Sequence, residues 1–403
     1  MTVSSDTTST KAPHGPIAEL GQRFRQNIQT YTIILALVAI WVFFAFLTKG
    51  AYLSAQNFSN LFRQMTVTSF LAIGMVLVIV TGNIDLSVGK VAGFVSVVVA
   101  HFQARVWNHL IPDQPILAAT LSVLIGLGIG TLFHCIQGYL TAYLNIPAFI
   151  VTLGGLFVMR GGILLVTQGK TIPANQPGFS FIAQGYASPT FGWIAAALVV
   201  IFLFFNMVNS RRRKRKYGFE LQNFYIDLSV TIFFSILVVV YVYVVNQYNG
   251  IQMPVLLLAI AAIIMSYMSN NTRFGRYAYA IGGNREAARL SGINIKRNVF
   301  LVFVLMGFLC GVAGVVLASY VGYGTIAAGE GYELDAIASA ILGGTSTLGG
   351  VGTIFGALTG SLIMSSLTTG LQMLNVAPAW QYLLKGMVLV LAVFGDVYFK
   401  KNK

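Results

Sequence analysis

Apolar runs close to the ~20 residues that an α-helix needs to cross a hydrocarbon core recur along the whole chain. They are Tyr31–Leu47, Thr66–Val80, Val91–Val106, Ile116–Phe133, Phe149–Thr167, Thr190–Val208, Leu228–Val245, Pro254–Met268, Val299–Tyr320, Gly352–Leu371 and Trp380–Val397. Leu334–Leu348 is also apolar but short and glycine-rich, fit for a half-helix or a full span. A soluble fold has no means of covering so much apolar surface. Soluble domains carry roughly 25% charged residues, whereas 9% of this chain is charged and 56% hydrophobic. The expected fold is an all-α, polytopic transmembrane helical bundle of about ten to twelve spans.

The formal charge of +14 does not point to nucleic acid, because the basic residues sit between apolar runs and not in one groove or stripe. The densest group, Arg211-Arg212-Arg213-Lys214-Arg215-Lys216, directly follows an apolar run. Lys and Arg hold loops on the cytoplasmic side. That rule places four segments inside: a polar tail over 1–30, the basic loop 209–225, the loop 270–298 and the end Lys400-Lys401-Asn402-Lys403. The remainder, 31–403, reads as a single transmembrane domain. Two spans fit between the Arg211 cluster and Asn270, so those loops share a side. Bringing Lys400 back to that side requires an even number of crossings after Asn298, which favours counting Leu334–Leu348 as crossing in some form.

Cys135 and Cys310 lie in apolar segments and read as buried thiols rather than a disulfide. His14, His101, His109 and His134 have no Cys partner and no metal-ligand spacing, so no metal or other cofactor is expected. Gly130-Thr131-Leu132-Phe133 with Gly138 recurs as Gly352-Thr353-Ile354-Phe355 with Gly360. Each copy leads to a proline, Pro147 or Pro378, which reads either as a trace of the internal duplication common in transporters or as coincidence among glycine-rich helices.

Three constellations stand out. In Thr81-Gly82-Asn83-Ile84-Asp85-Leu86-Ser87-Val88-Gly89-Lys90, a polar stretch interrupts two apolar runs. Irregular backbone at membrane depth must be buried in protein or line a cavity, and an acid there is costly and usually functional. Asn83, Asp85 and Ser87 are therefore candidates for a substrate pathway, against the plainer reading that Asp85 or Ser87 caps the next helix. The second constellation carries Glu330, Glu333 and Asp335 into Gly343-Gly344-Thr345-Ser346. Its acids would meet an extracytoplasmic partner or form a solvated, helix-capping loop, and Thr345 and Ser346 join the pathway candidates. In the third, Asn284 is placed as an N-cap and Gly292 as a left-handed C-terminal residue. A short helix over Arg285–Ser291 would expose Ala287, Ala288 and Leu290 and persist only when packed against a partner.

These motifs carry a resemblance. Ile281-Gly282-Gly283-Asn284-Arg285-Glu286-Ala287-Ala288-Arg289-Leu290-Ser291-Gly292-Ile293, with Ile84–Gly89 and Gly343–Ser346, closely resembles the permease subunits of bacterial ABC importers for monosaccharides. These form the ribose, xylose and galactose branch, with a type II ABC importer fold. The likeness runs from about Phe58 to the C-terminus, and the extra basic loop and span over Arg211–Gln247 look most like xylose-type permeases. Lys90 departs from the pattern, which has a small residue there. The resemblance implies a multi-pass protein of the bacterial inner membrane, two permease copies forming a pathway for a monosaccharide, and a soluble sugar-binding protein outside. A cytoplasmic ATPase would dock on Gly282, Gly283, Asn284, Glu286, Ala287, Ala288, Leu290, Ser291 and Gly292.

The chain itself lacks a phosphate-binding loop. Gly169-Lys170-Thr171 has Leu164 where the first glycine must stand, and Gly89-Lys90 has Ile84 there and Val91 after the lysine. No nucleophile–base or di-acid constellation suggests an enzyme. The rival reading is an ion-coupled secondary carrier, for which only Asp85 and Asp335 qualify as intramembrane acids.

Overall fold

A computed structural model describes residues 28–219 and 223–401. The polar tail up to Asn27, Glu220–Gln222 of the basic loop and the last two residues lie outside the described residues. Helices α1 (Ile28–Leu47), α2 (Ala55–Val80), α3 (Val88–His101), α4 (Pro115–Ala142) and α5 (Ala148–Thr167) form the first part. The short strand β1 (Ile172–Pro173) and α6 (Pro177–Gln184) lead to α7 (Pro189–Lys216), α8 (Phe224–Asn246) and α9 (Met253–Asn271). Then come α10 (Arg273–Gly283), α11 (Arg285–Leu290), α12 (Ile295–Val321), β2 (Tyr323–Gly324), α13 (Tyr332–Leu342), α14 (Ile354–Met373) and α15 (Pro378–Lys401).

Among the described residues eight helices are long and apolar enough to cross a bilayer: α2, α4, α5, α7, α8, α9, α12 and α14. With α1 and α15 the number reaches ten, the lower bound expected, and with the short α3 and α13 it reaches twelve. At 1.5 Å per residue, the 14 residues of α3 and the 11 of α13 fall short of a ~30 Å core. Both are mostly buried, which is the condition under which broken helices survive at membrane depth.

The core forms around α2 and α12. The most apolar stretch of α2 is 89% buried and that of α12 67%, against 11% for α7, so α7 and its neighbour α8 lie at the edge. Glycines bring α4 against α12: a Cβ on Gly130 would collide with the Gly307 carbonyl, and one on Gly311 would lie 2.8 Å from the Leu127 backbone. Lipid supplies no hydrophobic drive for helix association, so close backbone approach of this kind supplies the packing.

One end of the bundle gathers the irregular segments. The Gly350 N–H donates to the Val80 carbonyl at 3.0 Å, the Tyr279 hydroxyl to the Gly352 carbonyl at 2.8 Å, and the Asn298 amide to the Phe274 carbonyl at 3.3 Å. The Arg211 cluster and Asn270 share this end as expected, since α8 and α9 go out and return. At the opposite end β1 pairs with β2, the Ala174 N–H reaches the Gly322 carbonyl at 2.7 Å and the Met253 N–H the Gly185 carbonyl at 3.0 Å. The chain leaves β2 there, descends beside α3 and reaches Gly343–Gly350 at the first end. A turn over residues 326–331 and the short helix α13 thus carry it from one end of the bundle to the other.

The two copies of the repeated motif stand in different local structure. Gly130–Phe133 sits inside α4, whereas Gly352–Phe355 spans a loop and the first turn of α14.

Candidate functional site

The break between α2 and α3 is anchored by buried side chains. Asp85 Oδ1 accepts from the Ser87 N–H at 2.8 Å and from its hydroxyl at 2.7 Å, a turn in which Asp satisfies backbone two residues on. Ser87 Oγ in turn accepts from Gln137 Nε2 at 3.0 Å. Asp85 Oδ2 lies 3.0 Å from His134 Nε2, and His134 Nδ1 lies 3.1 Å from the Gly130 carbonyl. A carbonyl only accepts, so Nδ1 carries a hydrogen. The Nε2–Oδ2 contact then holds one further proton, and the pair is neutral overall whichever atom keeps it. Asp85, Ser87 and His134 are all fully buried.

This revises two expectations. α3 begins at Val88, but neither Asp85 nor Ser87 caps its free N–H groups; Ser87 stands at the N-cap without a side-chain cap bond. His134, expected to lack a thiol partner, has Cys310 Sγ at 3.9 Å from Nε2. Among the described residues no group of three or more His, Cys, Asp or Glu is placed to hold a metal.

The sequence-predicted residues fall into separate groups. Asp85 and Ser87 are enclosed in the anchor, whereas Asn83 is half-buried and donates to Thr81 Oγ1 at 3.1 Å. Thr345 and Ser346 are buried in the Gly343–Gly352 turn, where the Ser346 N–H donates to the Val351 carbonyl at 2.8 Å and Thr345 Oγ1 has no partner.

The acids of the second constellation differ in exposure: Asp335 is buried, Glu333 half-buried and Glu330 exposed. Glu330 is ion-paired with Lys90, whose side chain is otherwise enclosed between α3 and the descending segment. The lysine that departs from the family pattern therefore has its own counter-charge. Asp335, 6% exposed, pairs through Oδ2 with Lys385 Nζ of α15 at 2.8 Å. This pair lines a cavity of about 300 Å³ between α2, α13, α14 and α15, with Gln64, Thr368, Gln381 and Tyr382 in its wall. Lys385 lies within the run Trp380–Val397, and a lysine inside an apolar span is itself a signal of function.

The third constellation folds as its capping residues dictate. Asn284 Oδ1 accepts from the Ala287 N–H at 2.9 Å. At the other end the Gly292 N–H reaches the Arg289 carbonyl and the Ile293 N–H the Ala288 carbonyl, at 3.0 and 3.1 Å, with Gly292 at φ +80°. This paired closure is the Schellman motif. Ala288 does not join the exposed surface; it is buried against the bundle. Arg285, Glu286, Ala287 and Leu290 remain exposed, Leu290 by 75%. Glu286 holds Arg289 Nε at 3.1 Å and raises the guanidinium further above its ordinary value, so the helix presents fixed charges around one leucine. Beneath it, Gly282 and Gly283 of α10 abut the Val80 carbonyl and Gly350; a Cβ on Gly282 would collide with both.

Residues 57–393 match the family model described as branched-chain amino acid transport system / permease component. The chain is 39% identical over 376 residues to the xylose transport system permease protein of Haemophilus influenzae, covering 93% of this chain and 98% of that one. It is 31% identical over 371 residues to the galactose/methyl galactoside import permease protein of Salmonella typhimurium, covering 91% and 92%. To the ribose import permease protein of Escherichia coli it is 31% identical over 363 residues, covering 90% and 92%. No solved structure matches the chain.

Proposed function

The chain belongs to the family of branched-chain amino acid transport system / permease components, and from that premise we propose that it is the membrane-spanning permease of an ATP-driven importer for xylose or a related monosaccharide. The observation that carries this reading is likeness along nearly the whole length to permeases named for xylose, galactose and ribose, strongest for xylose at 39%. The family description names branched-chain amino acids, but these full-length relatives handle sugars. The protein is a multi-pass inner-membrane transport component that works with a cytoplasmic ATPase and a sugar-binding protein.

Several finer assignments belong to the proposal. Two copies of the chain flank the pathway. The tail over 1–30, the basic loop 209–225 and the loop 270–298 face the cytoplasm, by the charge rule. The ATPase docks on α11, gripping Leu290 within the ring of Arg285, Glu286 and Arg289, while Asn284 and Gly292 fix the shape it reads. Gly282 and Gly283 transmit its movement, because backbone-to-backbone contact with Val80 and Gly350 leaves no side chain to absorb a shift. The sugar leaves past Asn83, Thr345 and Ser346, at the end where those contacts lie. Asp85 and Ser87 serve the pathway by holding the break between α2 and α3. The ion-coupled alternative loses support because both of its candidate acids already have partners, His134 and Lys385.

The test is reconstitution of the permease with its ATPase and binding protein in vesicles. Xylose uptake that requires ATP and stops with vanadate is the expected result. Uptake by the permease alone, abolished by an ionophore, would refute it, and uptake of leucine in place of xylose would refute the substrate class.

A further inference from the structure

The basic run at the end of α7 carries more charge than the structure balances. Residues 209–227 hold six cations and two acids, Glu220 and Asp227. Arg211 pairs with Asp227 of α8 and lies over the Phe224 ring, 5.4 Å from its centroid. The side chains of Arg212, Arg213, Lys214, Arg215 and Lys216 have no hydrogen bond or ion pair among the described residues. All of these except Lys214 are exposed, and the one remaining acid, Glu220, balances a single charge.

Where α7 ends decides what these cations meet. At 1.5 Å per residue, residues 189–208 already span the ~30 Å hydrocarbon core. Residues 209–216 continue the same helix about 12 Å further, into the polar headgroup layer. Gly218, at φ +71°, closes the helix, and the Phe219 N–H donates to the Lys214 carbonyl at 3.0 Å, so the basic run keeps a helical form. Six consecutive residues about 100° apart cover more than a full turn, so the cations point to all sides. No single protein face receives such a ring, and a second copy seated there by two-fold symmetry would bring the same cations against it. Headgroup phosphates, by contrast, surround a helix on every side left open. α7 leaves those sides open, since its buried residues, Gly192 and Ala196, both stand near its start. Tyr217, Phe219, Phe224 and Tyr225 are exposed beside the basic run, and aromatic residues mark a membrane–water interface. The helix dipole also favours cations in a last turn, and orientation favours them on this loop, but neither accounts for the exposed aromatic rings.

We infer that the end of α7 is a binding site for anionic phospholipid headgroups, with Arg212, Arg213, Arg215 and Lys216 contacting their phosphates and the aromatic side chains resting at the interface. The inference requires that the chain crosses a membrane, and it depends on no particular cargo or orientation.

The experiment reads lipid preference beside the helix. Ser210→Cys, exposed and next to the cluster, is placed in a Cys135→Ala background, which leaves only the buried Cys310, and carries a fluorescent dye. The full-length permease is reconstituted in phosphatidylcholine vesicles containing either brominated phosphatidylglycerol or brominated phosphatidylcholine. At equal mole fraction the anionic lipid should quench more, corresponding to binding at least about fivefold tighter, the effect of one Lys or Arg at a bilayer surface. Raising KCl to about 1 M, where the Debye length falls to ~3 Å, should remove most of that preference from the unsubstituted cluster. Arg212→Gln/Arg213→Gln/Arg215→Gln/Lys216→Gln should abolish it and keep the helix, because glutamine is a good helix former. The salt arm decides the matter should that variant fail to insert. Equal quenching by the two lipids, or a preference that survives either high salt or the substitutions, would overturn the inference. Displacement of the lipid by inorganic phosphate would assign the cluster to a free anion instead, and loss of the preference on adding the ATPase would assign it to that protein; either result would overturn the lipid site.

Discussion

The anchor at the α2–α3 break makes a prediction that runs against the usual treatment of a buried acid. Because His134 Nδ1 must donate to Gly130, the Asp85–His134 pair is neutral overall, and Asn can replace Asp85 without disturbing the charge. Its Oδ1 still accepts from Ser87 and its amide hydrogen goes to His134 Nε2, so all three bonds persist. The expected cost is about 1 kcal/mol, the difference between charged and neutral hydrogen bonds. Asp85→Ala leaves the Ser87 N–H without a partner and His134 Nε2 with only the weak Cys310 thiol contact at 3.9 Å, while the Ser87 hydroxyl can turn to Gln137 Oε1 at 3.1 Å. One orphaned and one poorly satisfied buried group cost roughly 2–5 kcal/mol together. His134→Ala strands a carboxylate in a fully buried site and costs about 3–5 kcal/mol. The Asp85→Ala/His134→Ala double variant removes both members and should fall short of the summed losses by about 2 kcal/mol. Denaturation midpoints of the four detergent-purified proteins give the order, and vesicle uptake of xylose gives the functional reading. Asp85→Asn should unfold near wild type and retain uptake. An Asn variant as unstable as the Ala variant, or a strictly additive double variant, would refute the proton accounting. Lost uptake in a stable Asn variant would return Asp85 to direct contact with the sugar.

Further expectations concern the cytoplasmic surface. Gly292→Val forces a β-branched residue into a left-handed conformation at φ +80°, so the ATPase should copurify poorly while membrane insertion is unchanged; full copurification would refute the docking role. Leu290→Glu should weaken the same complex at least tenfold without affecting the melting of the permease, since that side chain is 75% exposed; equal affinity would exclude α11 as the grip. Gly282→Ala places a methyl group against the Val80 carbonyl, and overpacking of this kind costs about 1–3 kcal/mol; an unshifted denaturation midpoint would show that α10 does not bear on α2. Cysteines at Ser210 and Lys296, both exposed, should react with impermeant reagents only from the cytoplasmic side, and labelling in intact cells would reverse the orientation.

How much of this was legible in the sequence depended on whether the signal was local. Helix starts and stops were. Asn284 and Gly292 define α11 from both sides through bonds within ten residues, and the polar stretch before Val88 ends one helix and starts the next. The run Ile116–Phe133, by contrast, stopped too early. α4 continues to Ala142, and His134 and Gln137, which lie beyond that run, are the partners of Asp85 and Ser87. A periodic signal was present: Gly126, Gly130, His134, Gln137 and Thr141 recur at three- and four-residue intervals and share one helix face. A face of small and polar residues on an apolar helix turns toward protein, not lipid. What it turns toward lies 49 residues away for His134, 240 for Lys90 and Glu330 and 50 for Asp335 and Lys385. Charge counting placed the three acids as an outer patch and passed over Lys90 and Lys385 as partners for them. Each of these five charges except Glu333 instead found an opposite charge across the bundle. In a membrane protein that outcome follows from desolvation: an isolated buried charge at that depth is costly to keep, so a buried lysine such as Lys90 or a buried acid such as Asp335 calls for a partner. The sequence specifies that a partner must exist, and only the packing of α3 on the descending segment, and of α15 on α13, specifies which.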